Sequence, residues 1–317
     1  MMLFSINGQL GSGKSAVCDI LKEKYNFLVF STGGLHRQLA KERGLTSVQF
    51  NELIKNDPAV DEMIDRACIR FSEENKGKNI VFDSRLAWHF VENTFKIFLV
   101  VAPSTAANRV FKTRIVEERY RTKEDALAEL TYRRELENER FIKTYGVDCN
   151  NYGNYDIIID TSSLEVEQVV QFIMETYDKE ARGEEYYKAL CSPKNLYPTA
   201  KITSLDMERV DFYEKKFNNN EAVEPISLLR YRNELFIYDG HHRVIAANKV
   251  NRSIITGRVE FQENDTMPAG VFAPAGVFTP TGVFPEQYIS LSLSNLHDWE
   301  GACGFRFGYY PSVYVDA

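Results

Sequence analysis

The sequence predicts an α/β fold: a five-stranded parallel sheet wrapped by helices, followed by a smaller α+β unit. Three observations carry that prediction. Residues 6–15 read Ile-Asn-Gly-Gln-Leu-Gly-Ser-Gly-Lys-Ser, so Gly8, Gly13, Lys14 and Ser15 fit G-x-x-x-x-G-K-[ST]. Five short apolar segments alternate with helical patterns over the first 178 residues, the mark of repeated βα units. Beyond residue 200, two apolar segments flank a short turn and the second runs into a helix.

The first element is Met2-Leu3-Phe4-Ser5-Ile6, short and apolar, a buried strand. After the glycines, Val17, Ile20 and Leu21 recur at helical spacing. Strand, loop and helix in that order distinguish a phosphate loop from an ordinary glycine-rich turn. Backbone N–H groups over Gly11, Ser12 and Gly13 and at the helix start are expected to cradle phosphates. Lys14 is expected to reach the β and γ oxygens of ATP, and Ser15 to hold Mg²⁺.

Phe27-Leu28-Val29-Phe30 is the second strand, leading through Ser31-Thr32-Gly33-Gly34 into a helix whose first turn carries Arg37. Arg37 there either meets a second phosphate or is a surface arginine. Residues 38–76 form a helical insert, broken at Asn56-Asp57-Pro58. The third strand, Asn79 to Phe82, ends in Asp83-Ser84-Arg85. An acid at the carboxyl end of a strand beside a phosphate loop suits a water-mediated magnesium contact, so Asp83 joins Ser15 as a metal candidate. Its alternative is a cap or turn residue. Arg85 is placed to clamp another phosphate.

The fourth strand is Phe95 to Val101. Residues 104–145 are rich in arginine and glutamate, the texture of a solvated helix pair. Within it, Arg133, Glu137 and Arg140 lie at i, i+4 and i+7 on one helical face. Two cations held in register by an acid fit a phosphoryl group in flight, which needs charge stabilisation more than covalent chemistry. Asp156 to Thr161 is the fifth strand, and an amphipathic helix follows over Leu164–Tyr177.

The chain has 317 residues, enough for about two domains, with 44% apolar and 26% charged residues. A net charge of −7 argues against attraction to nucleic acid or to an anionic membrane. No apolar run reaches the roughly 20 residues that span a bilayer. The five cysteines are scattered and lack a C-x-x-C pair, as expected for free thiols in the cytoplasm.

Residues 1 to about 178 resemble the cytidylate kinases, in particular the compact archaeal-type branch of the nucleoside monophosphate kinases. Ordered stretches carry the resemblance: Gly8 to Ser15, Ser31-Thr32-Gly33 with Arg37, Leu39 to Gly44, Asp83 to Ala87, Ala102-Pro103 with Arg109, Arg133 to Asp148, and Tyr155 to Ser162. The resemblance implies an ATP- and Mg²⁺-dependent kinase of a small molecule, with CMP or dCMP the first candidate acceptor. It places Arg37 and Arg85 on the acceptor's phosphate and Arg133 and Arg140 in a lid; these two and the phosphate-loop Lys14 form the expected catalytic set. Two positions depart: Gly34 stands where Asp is usual and Ser84 where Gly is usual. Both belong to the acceptor side, which leaves a non-nucleotide acceptor, such as an amino acid, as the alternative.

Residues 179–199 read as a linker. Ala200 to Leu205 is a strand candidate, and a polar helix covers Glu208–Phe217. Pro225–Tyr231 and Glu234–Tyr238 make a hairpin around Arg232-Asn233. Asp239-Gly240-His241-His242-Arg243 then opens a helix, a second place where free N–H groups and an arginine could meet an anion. That motif resembles the ParB/sulfiredoxin-like fold over residues 200–262, in which the equivalent loop binds nucleotide phosphates. The sulfiredoxin cysteine is absent, so the resemblance points to nucleotide binding, catalytic or regulatory. The extension, 263–317, repeats Gly-Val-Phe at 270, 276 and 282 and carries six acids against one base. Its aromatics, from Phe305 to Tyr314, suit packing on a neighbouring surface.

Overall fold

Strand β1 (Leu3–Gly8) pairs in parallel with β3 (Ile80–Asp83) on one side and β4 (Phe95–Val100) on the other. The computed structural model describes residues 1–54, 58–113, 122–231, 234–262 and 293–310. Outside β3 lies β2 (Leu28–Ser31), and outside β4 lies β5 (Ile157–Asp160), both parallel. The order β2-β3-β1-β4-β5 is the expected five-stranded parallel sheet. Its central strands carry Phe4, Ile6, Val81, Phe82, Ile97 and Leu99, all buried from solvent. Strands covered on both faces read as apolar runs rather than alternating ones, which is why the sequence exposes them so clearly.

The helices come in chain order: α1 (Lys14–Tyr25), α2 (Thr32–Glu42), α3 (Ser47–Ile54), α4 (Pro58–Glu74), α5 (Ala87–Phe90), α6 (Pro103–Thr113), α7 (Lys123–Tyr145) and α8 (Val166–Ala181). Phe4, Phe27, Phe95 and Tyr177 pack together in tilted and edge-on contacts, with ring centroids 4.9–5.8 Å apart. The insert α2–α4 has a small core of its own, Ala40, Phe50, Ile54 and Ile64. Helix α7 opens on a capping box in which Thr122 and Asp125 satisfy each other's backbone N–H groups.

The chain divides into two units, Met1–Tyr186 and Tyr187–Ala317. In the second, β6 (Ala189–Cys191), β10 (Ile255–Gln262), β8 (Ile226–Tyr231), β9 (Glu234–Asp239) and β7 (Leu196–Pro198) neighbour one another in that order. Pairs β6/β10 and β8/β9 are antiparallel, while β10/β8 and β7/β9 are parallel. Helix α9 (Met207–Asn218) and α11 (Leu293–Cys303) both pack on α10 (His241–Lys249). The unit is α+β, and its hairpin falls where expected, with the turn residues 232–233 outside the described residues.

Two expectations are corrected. The stretch 179–199 is not a linker throughout: it holds β6 and β7, with Ala189, Cys191 and Leu196 buried. Residues 200–205 are not a strand but include a 3₁₀ turn over Ile202–Ser204. Side chains of α11 take the partners a strand would need. Trp299 Nε1 donates to the Ala200 carbonyl at 3.1 Å, and Asn295 bonds both Ala200 O and Ile202 N. The Gly-Val-Phe repeat lies outside the described residues. Of the late aromatics, Phe307 stacks on Tyr197 at 5.2 Å, and Tyr310 Oη donates to Glu300 at 2.6 Å. No described helix is long and apolar enough to cross a membrane.

Candidate active site

The glycine-rich turn joins β1 to α1, and Gly13 caps the helix in the left-handed region at φ 88°. Gly8 serves a different purpose from the rest of the loop. A Cβ there would lie 2.4 Å from the Leu99 carbonyl oxygen, so only glycine lets the chain leave β1 this close to β4. Lys14 Nζ donates to the carbonyls of Gly8 at 3.0 Å and Gln9 at 3.3 Å. Burial, followed by the neighbouring Arg85 cation, pulls the Lys14 ammonium down to a pKa of about 7, against the pull of Asp83 and Glu137.

Gly11, Ser12, Gly13, Lys14 and Ser15 line a cavity of about 870 Å³. Arg37 from α2, Asp83 and Arg85 from the end of β3, and Arg140 from α7 line the same cavity. Thus most of the residues selected from the sequence meet in one place. Gly8 lies behind the wall, and the Arg133 side chain is outside the described residues. Ser15 Oγ and Ser31 Oγ each approach Asp83 Oδ2 at 3.3 Å. One carboxylate with serine hydroxyls is a hard oxygen donor set of the kind Mg²⁺ shares with substrate phosphates. Among the described residues no cluster of three or more His, Cys, Asp or Glu competes as a metal site.

Arg85 is held from three sides. Its guanidinium donates to the Gly8 carbonyl and, at 3.4 Å, to Asn7 Oδ1, and its Nε pairs with Glu137 at 3.1 Å. Asn7 is itself fixed, its amide donating to Tyr155 Oη at 2.5 Å, and Tyr155 donates to the Cys149 carbonyl at 2.6 Å. Sequence reasoning missed Asn7 and Tyr155, since one precedes the motif and the other lies 148 residues away. It also left Arg109 without a role. Arg109 donates to Thr161 O at 2.7 Å, Thr161 Oγ1 at 3.1 Å and Gly11 O at 3.3 Å, and lines the cavity with Thr161 and Ser162. Its place beside Ala102-Pro103, at the end of β4, was the available signal.

Residues 5–139 match the family described as AAA domain. The cytidylate kinase of Archaeoglobus fulgidus is 32% identical over 178 residues, which is 56% of this chain and 95% of that protein. The cytidylate kinase of Methanocella arvoryzae is 33% identical over 179 residues, 56% of this chain and 98% of that protein. Through its first half, the chain belongs to the cytidylate kinase family. An S-adenosylmethionine-dependent nucleotide dehydratase of Lacinutrix mariniflava is also similar, 36% identical over 177 residues. There the match takes in 55% of this chain and only 36% of the relative.

Of the two positions singled out on the acceptor side, Ser84 has a local structural role and Gly34 does not. Ser84 Oγ accepts from the backbone N–H groups of Leu86 at 3.3 Å and Ala87 at 3.1 Å, so the serine caps the turn into α5. Gly34 donates its N–H to Ser31 Oγ at 3.1 Å, and a Cβ there would meet only ordinary contacts. The backbone therefore does not demand glycine at position 34.

The turn Asp239–Arg243 runs from β9 into α10 through Gly240 at φ 103°, close against Ile226. Its histidines part company. His241 is buried, takes the Thr199 N–H on Nε2 at 3.2 Å and packs against Trp299. Burial lowers its pKa to about 4. It is a core residue and not part of an open anion site, because its ring is buried against Thr199 and Trp299. His242 Nε2 accepts from the Asp206 N–H at 3.1 Å. Arg243 donates to the Pro225 carbonyl at 2.7 Å and pairs with Asp239.

Proposed function

We propose that the first unit transfers a phosphoryl group from ATP to a nucleoside monophosphate, with CMP or dCMP as the acceptor. The observation that carries this reading is the meeting of Arg37, Arg85 and Arg140, from three separate elements, in the cavity of the phosphate loop and Asp83. Relatives called cytidylate kinases, matched over nearly their whole length, support it.

In this reading the backbone N–H groups of Gly11 to Ser15 hold the donor's phosphates. Lys14 turns from the carbonyls of Gly8 and Gln9 to the β and γ oxygens. Ser15 and Asp83 would hold Mg²⁺, which would supply charge neutralisation at the donor's phosphates. Arg37 and Arg85 orient the acceptor phosphate in line, and Arg140 balances charge that builds on the transferring group. An oxygen of the acceptor phosphate bonds to the γ-phosphorus as the bond to the β-phosphate oxygen breaks, and ADP leaves. The test is coupled ADP release with CMP, dCMP, UMP, AMP and GMP, in wild type and Asp83→Asn. Release with CMP, reduced at least a hundredfold in Asp83→Asn, is expected; no release with any of the five refutes the acceptor assignment.

For the second unit we propose the ParB/sulfiredoxin-like reading, with phosphate held by Gly240, His242 and Arg243. The passage from strand to helix through a left-handed glycine supports it. Isothermal titration of ATP and CTP into Lys14→Ala, with and without Arg243→Ala, tests it. Residual binding lost with Arg243 is expected, and no residual binding removes the second site.

A further inference from the structure

We propose that Asp65 reads the acceptor's base by accepting a hydrogen bond from an exocyclic amine, and so selects cytosine over uracil. This rests on the nucleoside monophosphate reading above. Asp65 sits on α4, beside Ile64, which belongs to the insert's own core. It lines the same cavity as Arg37, Arg85 and Arg140. The phosphate chemistry has no use for it, since Asp83 already supplies the carboxylate that faces Ser15.

Two features suit Asp65 to recognition. Its carboxylate is oriented: Tyr145 Oη donates to Asp65 Oδ2. Tyr145 ends α7 just before Gly146 and lies edge-on to Phe90 at 5.2 Å. Apolar side chains share the cavity wall with Arg140, whose guanidinium lies 5.2 Å from the Phe141 ring centre. Leu86 and Phe141 line it and pack together with Cys149, in a cluster that Tyr145 joins. A flat heterocycle set against this wall, its phosphate toward Arg37 and Arg85, would meet the Asp65 carboxylate at its edge.

An ionised carboxylate only accepts, and its two oxygens together offer about four lone-pair sites. The 4-amino group of cytosine donates to it, a pairing used wherever carboxylates read cytosine. The 4-keto oxygen of uracil placed there sets acceptor against acceptor. A site built to hydrogen-bond one group rejects the analogue lacking it far more strongly than an apolar pocket rejects a missing methylene.

The experiment measures kcat/KM for CMP and UMP, and KM for ATP, in wild type, Asp65→Asn and Tyr145→Phe. Wild type is expected to favour CMP. Asp65→Asn, whose amide can donate to a 4-keto oxygen, is expected to lower the CMP-to-UMP ratio at least tenfold. Tyr145→Phe leaves the carboxylate but frees its orientation, and is expected to lower the ratio about three- to tenfold, which carries the test should Asp65→Asn fail to fold. KM for ATP is expected to hold. Equal losses on CMP and UMP, or an unchanged ratio in both variants, overturn the assignment while leaving the kinase reading intact. No turnover of any nucleoside monophosphate by wild type overturns both.

Discussion

Replacing Lys14 with methionine separates the functional from the structural consequences of a buried cation. In the folded chain the ammonium has a pKa of about 7 against an ordinary 10.5. That difference corresponds to about 5 kcal/mol disfavouring the charged form in the fold. Its hydrogen bonds to Gly8 O and Gln9 O offset the loss, as bonds from charged groups contribute about 1.5–3 kcal/mol. The sign follows from proton counts. Below pH 7 the lysine is charged both folded and unfolded, and the full cost stands. Between pH 7 and 10.5 the unfolded chain binds one more proton, so wild-type stability rises with pH. Above 10.5 the cost is gone. Lys14→Met is therefore expected to melt higher than wild type at pH 6, by up to about 8 °C for a net gain of up to about 2 kcal/mol. The gap should close as pH approaches 10, while ATP binding is lost at every pH. Differential scanning calorimetry of both proteins from pH 6 to 9.5, following the transition of the first unit, checks it. A methionine variant that melts below wild type at pH 6, or a gap that does not change with pH, would show that the ammonium is not held at a cost.

Gly8→Ala is expected to destabilise the first unit by more than about 3 kcal/mol, read from its denaturant midpoint, because the new Cβ meets backbone atoms of Leu99 that cannot move without parting β1 from β4. Tyr155→Phe removes the hydroxyl that accepts from Asn7 and donates to Cys149 O; KM for the acceptor should rise about three- to tenfold, from a less well-placed Arg85, with ATP affinity unchanged by titration. In the second unit, His241 is neutral when folded and has a pKa near 4, against 6.5 when unfolded. Below pH 6.5 the unfolded chain therefore binds the extra proton. Stability should fall by up to about 3 kcal/mol as pH drops from 6.5 to 4, and His241→Gln should flatten that slope in a pH series of thermal melts.

What could be read from the sequence was whatever is encoded locally. Lys14, Ser15 and the loop glycines are legible because a strand, a tight turn and a helix start must follow one another within about a dozen residues. Asp83 and Arg85 are legible because ligands gather at the carboxyl ends of parallel strands. The polar run after residue 179, and the prolines at 193 and 198, concealed two short strands whose partners lie up to 68 positions away. The apparent strand at 200–205 carried no sign that Asn295 and Trp299 would take over its hydrogen bonds. His241 and His242 look alike in sequence, yet Thr199 draws one into the core and Asp206 binds the other.

Arg85 illustrates the same limit at the site itself. Its partners are the Gly8 carbonyl of the phosphate loop, Asn7 at the end of β1 and Glu137 on α7. No periodicity predicts that set, because each member comes from a different element. Lys14 also rests on the Gly8 carbonyl, so one backbone oxygen serves both the cation expected at the donor and the cation expected at the acceptor. A phosphate that draws Lys14 away from Gly8 leaves that oxygen to Arg85 alone. The same movement strengthens the hold on Arg85 and shifts the balance of charge around Glu137. Donor and acceptor sites that share an anchor in this way are coupled through the loop itself, so ATP affinity should depend on whether the acceptor is present, and acceptor affinity should depend equally on ATP.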